Sequence, residues 1–203
     1  MEKIVEYFPD LTESQMEKLA AMKDIYTVWN SAINVISRKD IANFYTNHVL
    51  HSLAIARVFS FGSGDVVLDL GTGGGFPGIP LAILFENASF LLIDSIAKKI
   101  KVVNDVAQKL RLRNVTALTG RAEQYRGSYR YVVTRAVAPL PEIVGLTRRG
   151  ISGPVGSRGI IALKGGTLDE ETDPYRGNIT TWNISDFFPE PFFETKKIIW
   201  LKL

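Results

Sequence analysis

Residues 66–80, VVLDLGTGGGFPGIP, are the most informative stretch of the chain. The first five are apolar apart from Asp69, as is typical of a buried strand, and the glycines that follow allow positive φ values and let a ligand approach the backbone closely. The prolines are typical of the first turn of a helix, where unpaired N–H groups can bind a polar ligand. The stretch therefore predicts a strand, a glycine loop and a helix that together hold a nucleoside-containing cofactor.

On the C-terminal side of this loop, short apolar runs alternate with helical patterns. Strands are predicted over residues 66–70, 90–93, 115–118, 131–133 and 160–163, with helices over 77–86, 95–111, 121–126 and 139–149 between them. This alternation predicts an α/β fold with a doubly wound, mostly parallel sheet. Residues 180–188 and 196–203 are strand-like with no helix between them, and they predict a C-terminal antiparallel hairpin at one edge of the sheet.

The N-terminal part of the chain has a different, helical pattern. Thr12 and Gln15 resemble a capping box, and apolar residues then recur at steps of three and four as far as Ile33. A second helical stretch begins near Asp40 and ends before the Gly-Ser-Gly break at residues 62–64. We therefore expect an N-terminal helical cap over residues 1–61 and the main domain over residues 62–203.

Length and composition limit the class of protein. At 203 residues and 22.6 kDa the chain suits one compact domain with a small appendage, and we expect a monomer. It has no cysteine, which excludes disulfides and thiolate sites and favours the cytoplasm. No apolar run approaches the ~20 residues that span a bilayer, so no membrane is expected. The net charge of +3 agrees with a nucleic-acid partner but also with an ordinary solvated surface.

The glycine loop allows two interpretations. Residues 73–78 satisfy the G-x-G-x-x-G dinucleotide fingerprint, and Asp94 lies about where its ribose-binding acid would be, as in a dehydrogenase. However, Gly71 already closes the strand, so that fingerprint starts two residues late. The pattern D-x-G-x-G-x-G over residues 69–75 is better aligned, and it looks like motif I of class I methyltransferases, which bind S-adenosylmethionine.

Polar residues at the ends of the predicted strands are further candidates, because these ends meet at one crevice in an open α/β sheet. Asp69, Asp94, Arg135 and Lys164 each end or follow a predicted strand, and residues 120–123 follow another. The two acceptor oxygens of Asp94 match a ribose diol, although the side chain could instead cap the next helix. Arg135 could hold the methionine carboxylate or an RNA phosphate, or form a structural ion pair.

Seven motifs share their order and spacing with one known family. They are Trp29-Asn30 with Asn34, HVLHS at 48–52, residues 69–80, LIDS at 92–95, GRAE at 120–123, TRA at 134–136 and ALKG at 162–165. From Trp29 to Gly165 the chain therefore resembles the RsmG family, also called glucose-inhibited division protein B. The resemblance implies a Rossmann-like class I methyltransferase that uses S-adenosylmethionine to methylate N7 of a guanosine in bacterial small-subunit (16S) ribosomal RNA.

The resemblance also implies residue roles. Gly71 and Phe76 would contact the cofactor, Ala122 and Glu123 would border its adenine, and Arg135 would face its methionine end or the substrate. The predicted cofactor-binding residues are thus Gly71, Gly73, Phe76, Asp94, Ala122, Glu123 and Arg135; Arg135 is also the predicted catalytic residue, and no metal ligand is expected. The family usually has Asp where this chain has His51, and commonly Ser where it has Thr134.

Other functions remain open at this point. His48 and His51 share a helix face, but without a third ligand they are better explained as hydrogen-bonded residues between cap and sheet than as a zinc site. The basic residues would also suit a ribosome-binding module without catalysis. A class I methyltransferase acting on a protein or a small molecule is the second interpretation of the cofactor motifs.

Overall fold

The computed structural model describes the whole chain except Asn34, Arg38 and Lys39, so the motif residue Asn34 lies outside the described residues. The N-terminal part contains α1 (Glu2–Tyr7), α2 (Glu13–Ala32), a π-helix (Tyr45–Leu50), α3 (His51–Leu53) and a 3-10 helix (Ala54–Arg57). The capping box predicted at the start of α2 is confirmed, because Thr12 Oγ1 accepts the Gln15 N–H at 3.3 Å and Gln15 Oε1 accepts the Thr12 N–H at 2.9 Å. Helix α1 was not predicted from the sequence pattern.

The rest of the chain alternates strands and helices. The elements are β1 (Val66–Leu70), α4 (Gly78–Leu84), β2 (Ser89–Asp94), α5 (Ala97–Lys109), β3 (Val115–Thr119), a 3-10 helix (Ala122–Gln124), β4 (Tyr131–Arg135), α6 (Leu140–Thr147), β5 (Gly159–Gly165), α7 (Asp169–Thr172), β6 (Ile179–Asn183) and β7 (Lys196–Lys202). Short 3-10 helices follow α7 and β6 and precede β7 (Asp173–Tyr175, Ile184–Asp186 and Pro191–Phe193).

The seven strands form one sheet in the order β3-β2-β1-β4-β5-β7-β6. Strands β1 to β5 are parallel, whereas β7 is antiparallel to both of its neighbours. The predicted fold, a doubly wound and mostly parallel sheet with a C-terminal antiparallel hairpin, is confirmed. The strand order reverses between β1 and β4, and ligands of such folds bind beside this switch point at the carboxyl ends of the strands.

Side chains of the sheet alternate between two hydrophobic clusters, one on each face. Val67 belongs to the cluster that includes the N-terminal helices, α4 and α5, whereas its neighbour Leu68 belongs to the cluster that includes α6. The N-terminal helices therefore share a hydrophobic core with one face of the sheet. This packing places the N-terminal helices beside the sheet.

The structure differs from the predicted elements in three places. Only Ala122–Gln124 of the predicted helix 121–126 is helical, as a 3-10 turn. The predicted strand 180–188 ends at Asn183, because the chain then turns into the 3-10 helix Ile184–Asp186. The second helix predicted in the N-terminal part is a π-helix followed by short α and 3-10 turns instead of a regular α-helix. Within the described residues, no helix has both the length and the apolar character that crossing a bilayer requires.

Candidate functional site

Two adjoining cavities lie at the carboxyl ends of the strands beside the switch point. A cavity of about 430 Å³ is lined by the glycine loop, Phe76, Lys99 and Arg135, and one of about 210 Å³ by Ala122, Glu123 and Leu146. Both are lined by Gly71, Asp94, Ser95 and Val137, so these four residues form the waist between them. The crevice is therefore elongated, with a cationic end and an end beside Ala122 and Glu123.

The glycine loop is held by hydrogen bonds to Asp69, the fourth residue of β1. Its Oδ2 accepts hydrogen bonds from Thr72 Oγ1 at 2.6 Å and from the Gly78 N–H at 2.8 Å, so one carboxylate oxygen fixes both ends of the loop. Burial raises the pKa of Asp69 to about 7, and no described residue partners its Oδ1. Gly71 and Gly73 have φ values of 63° and 58°, a conformation that glycine adopts without steric cost.

Asp94 ends β2 and is 7% exposed. Its Oδ2 accepts the Gly73 N–H and its Oδ1 accepts the Ile96 N–H, both at 2.9 Å. The carboxylate thus ties the glycine loop to Ile96, the residue before α5. The alternative that Asp94 itself caps this helix is wrong, because Ile96 is the N-cap residue and no side chain caps α5. Because each oxygen has a second lone pair, both can still accept a hydrogen bond from a hydroxyl in the waist.

Arg135 ends β4 and contacts the π-helix Tyr45–Leu50. Its Nη1 donates to the Asn47 carbonyl at 3.1 Å, its Nη2 lies 3.0 Å from His48 Nδ1, and its guanidinium carbon is 5.2 Å from the centre of the Phe76 ring. Among the described residues it forms no ion pair, so the structural alternative considered for it is not found. Burial lowers the pKa of Arg135 to about 10, which leaves it charged at neutral pH.

The two histidines have different surroundings. Burial, reinforced by the Arg135 charge, lowers the pKa of His48 to about 4 and that of His51 well below its usual value, so both are neutral at pH 7. His48 packs against Phe76, whereas His51 is 6% exposed and packs edge-on against Phe192 and Phe193. Only His48 bonds a residue of the crevice.

All seven residues predicted to bind the cofactor line this crevice. Gly71, Gly73, Phe76, Asp94 and Arg135 line the larger cavity, and Gly71, Asp94, Ala122 and Glu123 line the smaller one. Of the three glycines in the dinucleotide fingerprint, Gly73 alone lines a cavity, since Gly75 and Gly78 pack into the interior against Ile79 and Asp69. The register that begins at Asp69 therefore fits the geometry better.

Comparison with known proteins identifies the family. The family model for rRNA small subunit methyltransferase G matches residues 15–192. The chain is 50% identical to the ribosomal RNA small subunit methyltransferase G of Bacteroides thetaiotaomicron over the full length of both, and 50% identical to that of Flavobacterium psychrophilum over 100% of this chain and 98% of that one. The chain belongs to this family.

Solved structures support the same fold for this member of the rRNA small subunit methyltransferase G family. A SAM dependent methyltransferase from Aquifex aeolicus has a TM-score of 0.54 to this chain at 14% sequence identity, over 82% of this chain and 98% of that one. At this identity the likeness concerns the fold alone. The predicted Rossmann-like class I methyltransferase architecture is confirmed.

Three features of this family member's site were not predicted. Val137 lies over Gly71 at the waist, yet it follows β4 in an irregular loop and has no sequence signal. The same loop is held by Lys164, whose Nζ donates to the Ala138 carbonyl at 2.6 Å and to Glu171 Oε2 at 2.8 Å. Lys164 was noted as a strand-end residue, but its partner Glu171 was not. The third feature is the contact of the π-helix with Arg135.

We predict that Asp94→Ala weakens S-adenosylmethionine binding by roughly 1.5 to 3 kcal/mol, the scale of charge-assisted hydrogen bonds. The variant would lose the acceptors for a ribose diol and also the bond that holds Gly73. Isothermal calorimetry measures the change. Asp65→Ala is the matched control, because Asp65 is also buried and accepts a backbone N–H, from Gly62, but lies outside the crevice. Equal affinities for the Asp94 variant and the wild type would refute the diol assignment.

Proposed function

We propose that this protein transfers the methyl group of S-adenosylmethionine to N7 of a guanosine in 16S ribosomal RNA, acting as a monomer in the cytoplasm. Family membership supports the ribosomal RNA substrate. The observation that supports S-adenosylmethionine as the cofactor is the elongated crevice. A glycine loop and a buried carboxylate meet at its waist, and the waist lies between a cationic end and an end lined by Ala122 and Glu123.

The shape and polarity of this crevice fit S-adenosylmethionine. At the waist, Gly71 leaves space beside Val137 that a Cβ would fill, because such an atom would lie 2.6 Å from Val137 Cγ2. Asp94 offers acceptors for the ribose, Ala122 and Glu123 would border the adenine, and Arg135 offers donors at the opposite end. Gly73 and Phe76 would line the methionine half.

The residues of the crevice would bind and orient the reactants and would transfer no proton. When bound, S-adenosylmethionine supplies a methyl group on a positively charged sulfur. Guanine N7 has an available lone pair and loses no proton on methylation, so no general base is required. The residues of the crevice would contribute by aligning the target base with the methyl carbon and by excluding water. Arg135 would orient the methionine carboxylate or hold a phosphate next to the target nucleotide.

We propose that residues 1–61 act as a cap on the methyltransferase domain of residues 62–203. Two observations support a capping role for residues 1–61. They pack on one face of the sheet through a shared hydrophobic core, and their π-helix supplies both hydrogen-bond partners of the Arg135 side chain that the structure describes. A target guanosine must be reachable to enter the crevice, so an unpaired or extruded nucleotide is a more suitable substrate than a base stacked in a duplex.

The decisive experiment compares methylated positions in ribosomal RNA from cells with and without the protein. We expect one guanosine of 16S ribosomal RNA to lose its N7 methyl group in the deletion strain and to regain it with the wild-type gene, but not with Gly71→Val. Mass spectrometry of nuclease fragments detects the change. Identical maps in both strains would overturn the proposed substrate.

A purified-component assay separates the remaining alternatives. Small subunits and naked 16S ribosomal RNA from the deletion strain are incubated with labelled S-adenosylmethionine, and the label is followed into RNA, protein and small molecules. Label in RNA supports the proposal, whereas label in protein or small molecules would support the second interpretation. Thermal stabilisation by NAD but not by S-adenosylmethionine would instead indicate a dehydrogenase.

A further inference from the structure

The contact between His48 and Arg135 joins the cap to the crevice, and neither the family match nor the fold explains it. We propose that His48 is a positioning residue, which holds the Arg135 guanidinium in the orientation that methyl transfer requires. The proposal rests on the proposed function, because it gives His48 a role in the reaction of the same crevice. Three observations on the π-helix Tyr45–Leu50 and β4 carry it.

The first observation fixes the direction of the hydrogen bond. An arginine guanidinium has five N–H donors and no acceptor, so His48 Nδ1 must accept from Arg135 Nη2 across their 3.0 Å separation. A neutral imidazole with an accepting Nδ1 carries its proton on Nε2. The hydrogen bond from Arg135 thus selects both the charge state and the tautomer of His48.

The second observation concerns what this arrangement leaves available. His48 and the Asn47 carbonyl engage one N–H on each terminal nitrogen of the guanidinium, while the guanidinium carbon lies over the Phe76 ring. The other three N–H donors of Arg135 have no hydrogen-bond partner among the described residues, and Arg135 lines the 430 Å³ cavity, where a ligand could accept from them. Both acceptors belong to one helical turn, so together they restrict the orientation of the guanidinium and the directions of its other donors.

The third observation is that this arrangement has an energetic cost. His48 Nε2 is buried, carries the proton and has no hydrogen-bond partner among the described residues. A buried donor without a partner costs about 1–3 kcal/mol, so packing alone would favour an apolar residue between Phe44 and Phe76. The surrounding helix is also a π-helix, a rare form that occurs frequently at functional sites.

The test compares two His48 variants in methylation of small subunits from the deletion strain. His48→Ala removes the acceptor, and we expect kcat/KM to fall roughly ten- to thirtyfold. His48→Asn can place an amide oxygen at the former Nδ1 position, and we expect it to stay within about threefold of the wild type. Tyr45→Phe is the control, since it breaks a bond from the same helix to the Ala20 carbonyl without touching Arg135.

Coupling to Arg135 separates positioning from general stabilisation of the helix. Arg135→Lys cannot maintain both contacts of the planar fork. Adding His48→Ala to Arg135→Lys should therefore reduce kcat/KM by less than a further factor of about three. If the effects of His48→Ala and Arg135→Lys multiply, or if His48→Asn is as impaired as His48→Ala, the proposal is wrong. A Tyr45→Phe loss equal to that of His48→Ala would also overturn it.

Nitrogen-15 NMR of the histidines gives a readout that does not depend on turnover. We expect His48 Nδ1 in the wild type to have the shift of an unprotonated, hydrogen-bonded nitrogen, and this shift to move in Arg135→Ala; an unmoved shift would overturn the proposal. If the wild type methylates no RNA, the proposed function fails while the NMR result still decides the contact. If His48→Ala does not fold, the comparison of His48→Asn with the wild type and the NMR shift decide the proposal.

Discussion

We expect the Gly71→Val variant to lose S-adenosylmethionine binding while keeping its fold. Gly71 has a φ of 63°, and a Cβ placed there would lie 2.6 Å from Val137 Cγ2. A valine side chain would therefore fill the waist or displace Val137 into one of the two cavities. Because both cavities meet at Gly71, either outcome blocks a ligand that must extend through the waist. Calorimetry with S-adenosylmethionine should detect no binding.

Gly64→Val is the matched control for this prediction. Gly64 also has a positive φ, 85°, but a Cβ there has no atom within 4 Å. Both variants should lose roughly 1–2 kcal/mol of stability, the cost of a left-handed conformation for a residue with a side chain. Only Gly71→Val should lose the ligand. A folded Gly71→Val protein with unchanged affinity would show that the cofactor does not pass through the waist.

The residues of this site that lie at strand ends could be predicted from the sequence, because regular secondary structure determines their positions. Gly71, Asp94 and Arg135 end or directly follow parallel strands, and the rule that such ends converge is sufficient to place them together. Val137 could not be predicted, because it reaches the waist through an irregular loop that depends on a contact with Lys164. An irregular loop has no periodic sequence pattern from which its path could be predicted.

The contribution of the cap was beyond prediction for a different reason. The pattern places His48 on the same stripe as His51, but that periodicity assumes a regular α-helix, whereas the segment is a π-helix. Which of the two histidines meets Arg135 is decided by how the cap docks on the sheet. That docking depends on the shape of a hydrophobic core shared by distant parts of the chain. Local sequence patterns carry no such information.

The strand order of the C-terminal hairpin was only partly predictable. The two strand-like runs without a helix between them indicate antiparallel pairing, which the structure confirms. The composition also agrees with the order: residues 198–201 are all buried, so β7 takes the inner position, whereas β6 has exposed threonines and forms the edge. Both faces of an inner strand are covered, and this requires a continuous apolar run.

We expect Arg135→Ala to reduce methylation about ten- to a thousandfold, which corresponds to roughly 1.4 to 4 kcal/mol of lost transition-state stabilisation. Arg135 lines the larger cavity, and three of its N–H donors have no partner within the part of the chain that the structure describes. Its planar fork suits a carboxylate or a phosphate, and Arg135→Lys should rescue only part of the activity, because an ammonium cannot make two parallel hydrogen bonds. Initial rates on small subunits from the deletion strain measure these losses.

The melting temperature of Arg135→Ala should change little. The partly buried guanidinium bonds two neutral acceptors and no carboxylate within the described residues, so the desolvation cost of the charge offsets much of what these bonds contribute. Arg130 provides the matched control. It precedes the same strand, contacts the Tyr131 ring at 5.1 Å and pairs with Asp65 at 2.9 Å, but lies at the opposite end of β4. Arg130→Ala should therefore lower stability and leave turnover unchanged.

Cofactor titration of the Arg135→Ala protein then identifies the ligand group that Arg135 binds. Lost affinity for S-adenosylmethionine with unchanged RNA affinity would indicate the methionine carboxylate, whereas the reverse would indicate a phosphate of the RNA. The two outcomes also differ in salt dependence, because the loss of a phosphate contact reduces the slope of log affinity against log salt by about one. If Arg135→Ala methylates at the wild-type rate, or unfolds while Arg130→Ala does not, Arg135 is a structural link between cap and sheet, and the group that orients the substrate must lie elsewhere in the crevice.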